Sequence, residues 1–126
     1  MPQRRKRVVD PFDVDWVVTD PLGREVTMLK SIEEMRVDKH AEPPELLETD
    51  EVRTVIEEPT RIDESVSHAT RNVYYRRETE MEYPYSRAIV DFGGDPNSGY
   101  VISWSRYKTP VSSYGVIWNG EGNDRL

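Results

Sequence analysis

The chain contains no cysteine, which excludes disulfides, thiolate metal sites and cysteine nucleophiles. It contains two histidines, His40 and His68, too few for a histidine-rich metal centre. His-Glu-x-x-His, Gly-x-Ser-x-Gly and the dinucleotide fingerprint are all missing. Gly93-Gly94 is followed by no Gly-Lys pair at phosphate-loop spacing. No metal and no cofactor is therefore expected. No apolar run approaches the ~20 residues of a membrane-spanning helix. The basic opening Met1-Pro2-Gln3-Arg4-Arg5-Lys6-Arg7 leads into no apolar stretch of the kind a secretion signal needs. The expectation is a soluble, cytoplasmic protein without a membrane partner.

What is present is acidic and segregated. The 126 residues carry a net charge of −7. Residues 1–7 hold a charge of +4, residues 8–64 hold −11, and residues 65–126 are balanced. A broad nucleic-acid-binding face is normally basic, so the balance speaks against a general nucleic-acid binder and leaves room for a small cleft. Thirteen of the 17 basic residues are arginine.

A chain of this length reads as one domain. Residues 1–11 read as a basic, poorly ordered arm, residues 12–118 as a single domain, and residues 119–126 as a flexible tail. Val14 to Thr19 is β-rich, Asp20-Pro21-Leu22-Gly23 is a turn signal, and residues 24–29 alternate again, which predicts a hairpin. Ser31 suits a helix N-cap and Glu33 and Glu34 its first turn, giving a helix over 32–40 that Pro43-Pro44 stops. Val52, Val55 and Ile56 form an i, i+3, i+4 stripe in a second helix over 45–58. Residues 60–70 read as a polar connection. Strands follow over 72–78, 83–92, 99–108 and 114–118, with a turn-rich loop at 93–99. A hairpin, two helices and a meander predict an α+β domain, its helices packed on one face of a curved antiparallel sheet.

Chemistry-bearing candidates are few. Strand alternation puts Asn72, Tyr74 and Arg76 on one face and Val73, Tyr75 and Arg77 on the other. By the same count Val101, Ser103 and Ser105 share a face, opposite Tyr100, Ile102, Trp104 and Arg106. An arginine at a strand end beside a hydroxyl on a neighbouring strand makes an anion site, and a histidine from an upstream helix would complete a metal-free RNA-cleaving kit. Arginine forks phosphate oxygens and tyrosine stacks bases, so Tyr74, Tyr75, Arg77 and Arg106 are the candidate RNA contacts. Each has a plain structural counterpart: His40 as a helix C-cap, Ser103 as a strand serine bonded to backbone, the Tyr and Arg side chains as cross-strand pairs.

The order Lys39-His40, Pro44-Glu45-Leu46, Glu57-Glu58-Pro59-Thr60-Arg61-Ile62, Tyr74-Tyr75-Arg76, Arg87-Ala88-Ile89-Val90 and Val101-Ile102-Ser103 resembles the phage- and toxin-associated nuclease domains of the barnase–EndoU–colicin–RelE-like ribonuclease superfamily, over about residues 24 to 118. Ala41-Glu42-Pro43 intervenes where that family's histidine adjoins its Pro-Glu pair, and Ser103-Trp104 stands where it has threonine and a small residue. The resemblance implies a small α+β fold and metal-independent cleavage of RNA through the ribose 2′-OH. It also implies a role as a toxin partnered by an antitoxin or immunity protein. By position it implies His40, Arg76 and Ser103 as the catalytic residues. The rival expectation, from the charge of residues 42–64, is an acidic antitoxin or immunity-type partner protein, or an inactive binding module of the same fold.

Overall fold

A computed structural model describes residues 10–37, 47–66, 68–78, 82–108 and 115–120, the side chains of Arg36 and Val37 excepted. The described chain is an α+β fold of two α-helices and a mixed seven-stranded sheet. After a short 3-10 turn at Pro11–Asp13 come strands β1 (Val14–Thr19) and β2 (Glu25–Leu29), then helices α1 (Lys30–Val37) and α2 (Thr49–Glu57). Strands β3 (Arg61–Glu64), β4 (Arg71–Arg77), β5 (Tyr85–Asp91), β6 (Ser98–Tyr107) and β7 (Gly115–Asn119) complete the element order. Across the sheet the order is β1-β2-β6-β5-β4-β3-β7.

The β1–β2 hairpin forms where Asp20-Pro21-Leu22-Gly23 predicts it. Asp20 Oδ1 accepts from the backbone N–H of Leu22 and of Arg24, each at 2.9 Å. Gly23 takes the left-handed φ of 81° that the turn needs and that a Cβ would strain. α2 starts with Asp50 and Glu51 near its positive end and buries Val52, Val55 and Ile56. Fully burying an aliphatic side chain of this kind contributes roughly 1.5–3 kcal/mol. These three pack with Trp16, Val18, Val26, Met28, Tyr74, Ala88, Val90, Val101 and Trp104 into one core, with Ile32 of α1 against it. Both described helices therefore lie over the same face of the sheet. That face is called the helix face below and its opposite the distal face.

Three features depart from the sequence expectation. The sheet is not wholly antiparallel, because β2 joins β6 in parallel. The connection expected over 60–70 contains β3, an interior strand that pairs with both β4 and β7. Its Ile62 is fully buried in the core, which fixes the strand although its sequence, Arg-Ile-Asp-Glu, carries one apolar residue. Third, β6 is bulged. Ile89 pairs with Ser103 while its neighbour Val90 pairs with Val101, so one residue of β6 is left over and side-chain parity flips there. Val101 consequently joins Trp104 on the helix face instead of sharing a face with Ser103. α2 starts at Thr49, later than expected; the expected end of the first helix, residues 38–40 with His40, and residues 41–46 lie outside the described residues. So do residues 1–9 and 121–126 of the expected arm and tail.

Candidate functional site

Residues paired directly across antiparallel strands point to the same side of a sheet, so the register sorts every candidate. Arg76 pairs with Ser86, which pairs with Arg106. Tyr74 pairs with Ala88, which pairs with Trp104. These residues are on the helix face. Tyr75 pairs with Arg61 and with Arg87, and Arg87 with Ser105. Val73 pairs with Asp63 and Ile89, and Ile89 with Ser103. Arg77 pairs with Tyr85, which pairs with Tyr107. These residues are on the distal face.

The helix-face candidates are held by the fold. Tyr74 is fully buried. Its hydroxyl donates to Asp20 Oδ2 at 2.6 Å and accepts from Arg24 at 3.0 Å. Burial, reinforced by the hydrogen bond to Asp20, pushes the Tyr74 phenol well above its ordinary pKa, so it stays a donor. Arg24 also donates to Asp20 Oδ2 at 2.9 Å and to Asn72 Oδ1 at 2.8 Å, and its guanidinium lies 4.1 Å from the centre of the Phe92 ring. This network ties the hairpin turn to β4. Arg76 donates to the Glu58 carbonyl at 2.6 Å and to Glu78 at 2.9 Å, securing the end of α2 to β4. Arg106 is buried, forms an ion pair with Glu51 of α2 and donates to Ser86 Oγ at 3.1 Å. Burial pulls its pKa down.

The expected base-stacking role of the tyrosine pair is corrected by burial. Tyr74 and Tyr75 are 0 % and 1 % exposed, so neither ring presents a face to a ligand. Arg106 is likewise tucked under α2 and reaches no outward surface. Arg76 and Ser103 point to opposite sides of the sheet, so they cannot grip one phosphate between them. His40 falls outside the described residues.

The distal face does assemble an arginine beside hydroxyls, with Arg87 in the place expected of Arg76. Arg87 sits directly across from Ser105 and diagonally from Ser103. Such neighbours have Cβ atoms about 5 Å and about 7–8 Å apart respectively. The next row along holds Arg77, Tyr85 and Tyr107. Arg87, Ser103, Ser105, Arg77, Tyr85 and Tyr107 are all partly exposed. The Arg87 guanidinium lies 3.9 Å from the centre of the Tyr107 ring and donates to its hydroxyl. Two strands over, on β3, Asp63 is fully buried and ion-paired with Arg61 at 2.8 Å. At the far end, burial opposes ionisation of Asp91. Thr70, the Gly93 N–H and Arg71 outweigh that burial and hold its carboxyl below the usual range. Asp63 and Asp91 are thus held by arginines other than Arg87.

Sequence reasoning overlooked Arg87 because it read Ser103 against the Tyr-Tyr-Arg strand. Pairing the hairpin β5–β6 first would have placed Arg87 beside Ser105.

Among the described residues no group of three or more metal-ligating side chains converges, and no helix is long and apolar enough to cross a membrane. No protein-family model, curated protein or solved structure matches this chain.

Proposed function

We propose that this chain is a ribonuclease-like domain that binds RNA on the distal face and cleaves it by attack of the ribose 2′-OH on the adjacent phosphorus, without a metal. The observation that carries the reading is one register. Arg77, Arg87, Ser103, Ser105, Tyr85 and Tyr107 come from three adjacent strands and share one partly exposed face. Arginine and hydroxyl donors suit phosphate oxygens, and half-exposed tyrosines suit unstacked bases. Arg87 would stabilise the charge that grows on the phosphorane. His40 is proposed on sequence grounds to take the 2′-OH proton and return it to the departing 5′ oxygen. In this reading the protein acts as a toxin restrained by an antitoxin or immunity protein.

The test is cleavage of a mixed RNA pool in the presence of EDTA. Fragments ending in 2′,3′-cyclic phosphate are the expected product. Intact RNA at all substrate lengths would remove the catalytic reading.

A second reading has its own observation. Glu48, Asp50, Glu57 and Glu58 are all exposed on and around α2, an acidic surface suited to a basic partner. Tight, salt-sensitive binding to a basic nuclease, with no RNA affinity at low salt, would favour an immunity-type protein.

A further inference from the structure

We infer that Arg87, Ser103 and Ser105 form a discrete binding subsite for a phosphate group, and that Tyr107 holds the Arg87 side chain in place while the subsite is empty. The inference rests on the ribonuclease-like reading for its biological ligand, a phosphodiester or terminal phosphate of RNA.

The donors meet the shape of the ligand. Ser103 and Ser105 are two residues apart on β6, so their side chains emerge on the same face about 6–7 Å apart. Arg87 stands across from one and diagonal to the other. Two hydroxyls in a row on β6 with an arginine on the neighbouring strand give an anion several donors on one face. The surrounding charge agrees. The described strands of the distal face carry Arg61, Arg71, Arg77 and Arg87 against Asp63, Asp91 and, at the far end of β2, Glu25. Asp63 pairs with Arg61, and Asp91 with Arg71, so neither of those carboxylates neutralises Arg87. Arg87 differs from the arginines of the helix face in what it touches. Its contact is an aromatic ring and a phenol, not a carboxylate. A phosphate offers that guanidinium charge-assisted hydrogen bonds, which are stronger than neutral ones. The bound arginine would therefore exchange Tyr107 for the ligand without breaking an ion pair.

The experiment titrates the full chain with inorganic phosphate and, separately, with a nucleoside 3′-monophosphate, following the Arg87 Nε–H and Tyr107 ring signals by NMR. The subsite predicts saturable shifts of both signals. Affinity should fall at least tenfold in Arg87→Ala and severalfold in Ser103→Ala, and stay unchanged in Arg76→Ala. Arg87→Lys keeps the charge without the fork and should recover only part of the binding, which separates recognition from a folding defect. Tighter binding of the nucleotide than of inorganic phosphate would support a nucleic-acid source. Equal binding would support the subsite as a site for the phosphate group alone. Absence of saturable shifts, or unchanged affinity in Arg87→Ala, would overturn it. Phosphate binding without RNA cleavage would retire the ribonuclease reading and leave the subsite standing. Cleavage without phosphate shifts would do the reverse.

Discussion

The helix face and the distal face are built from the same strands and from similar residue types, yet their arginines are in different chemical situations. On the helix face Arg24, Arg76 and Arg106 each bridge elements far apart in sequence: a hairpin turn to β4, β4 to the end of α2, and β6 to the start of α2. Each binds a carbonyl or carboxylate of the element it joins. On the distal face Arg87 rests on Tyr107, a contact that a stronger acceptor can displace. Arg76 and Arg87 look alike in the sequence, each in a strand and one or two residues after a tyrosine. Strand parity puts Arg76 on the helix face, bonded to the end of α2, and Arg87 on the distal face, where Arg61 and Arg71 are ion-paired and Arg87 rests on Tyr107.

The largest expected effect that would sharpen this contrast is on the helix face. Asp20 has a fully buried side chain that accepts from Tyr74, from Arg24 and from two backbone N–H groups. Asp20→Ala would strand those donors and should cost roughly 3–5 kcal/mol, read as a lower urea midpoint at unchanged slope. Arg87→Ala in the same assay should shift stability by less than about 1 kcal/mol. Equal losses would break the distinction between the faces. Next comes Tyr74→Phe, which keeps the ring and removes one hydroxyl; it should cost about 1–3 kcal/mol by leaving Asp20 short of a donor.

A pH effect follows at smaller scale, at the junction of β1, α1 and α2. Burial, then a hydrogen bond and repulsion from Asp15, then repulsion from Asp50, raise Glu33 from 4.5 to about 7, with Lys30 acting the other way. The folded state thus binds this proton more tightly than the unfolded chain does. Its contribution to stability is full below about pH 4.5 and is lost as pH rises towards 7. With screening by solvent the effect should be about 1 kcal/mol. Glu33→Gln should flatten that slope in denaturation measured from pH 5 to pH 8. A slope unchanged by the substitution would assign the titration to another group. A change of similar size is expected in Arg76→Ala, which loses a hydrogen bond to the Glu58 carbonyl. It should cost about 1 kcal/mol and leave any RNA cleavage intact.

Much of the architecture was legible because alternation and turn chemistry are local. The β1–β2 hairpin is announced by Asp20-Pro21-Leu22-Gly23, and β4 to β6 by alternating aromatic and branched residues around 93–99. β3 was not legible, since Arg61-Ile62-Asp63-Glu64 carries a single apolar residue and Asp63 is buried through its ion pair with Arg61. The lodging of β7 beside β3 joins segments some fifty residues apart, which no window of sequence reports. The β6 bulge has no glycine or proline at Ile102-Ser103 to mark it, and a missed bulge inverts every face assignment on one side of it. That inversion placed Val101 with Ser103. The choice of Arg76 as Ser103's partner had a different origin, because a hydroxyl-to-arginine pairing across a sheet depends on which strands are neighbours, and β5 separates β4 from β6.

The central claim is that the distal face, through Arg87, carries the chemistry while the helix face carries the fold. The most direct measurement is RNA cleavage in EDTA by the wild-type chain, Arg87→Ala and Arg76→Ala, each at a temperature where all three are folded by circular dichroism. The account predicts a loss of about 10²–10³-fold for Arg87→Ala, the scale of removing one preorganised charge stabiliser, and wild-type cleavage by Arg76→Ala. Cleavage abolished by Arg76→Ala and spared by Arg87→Ala would contradict it.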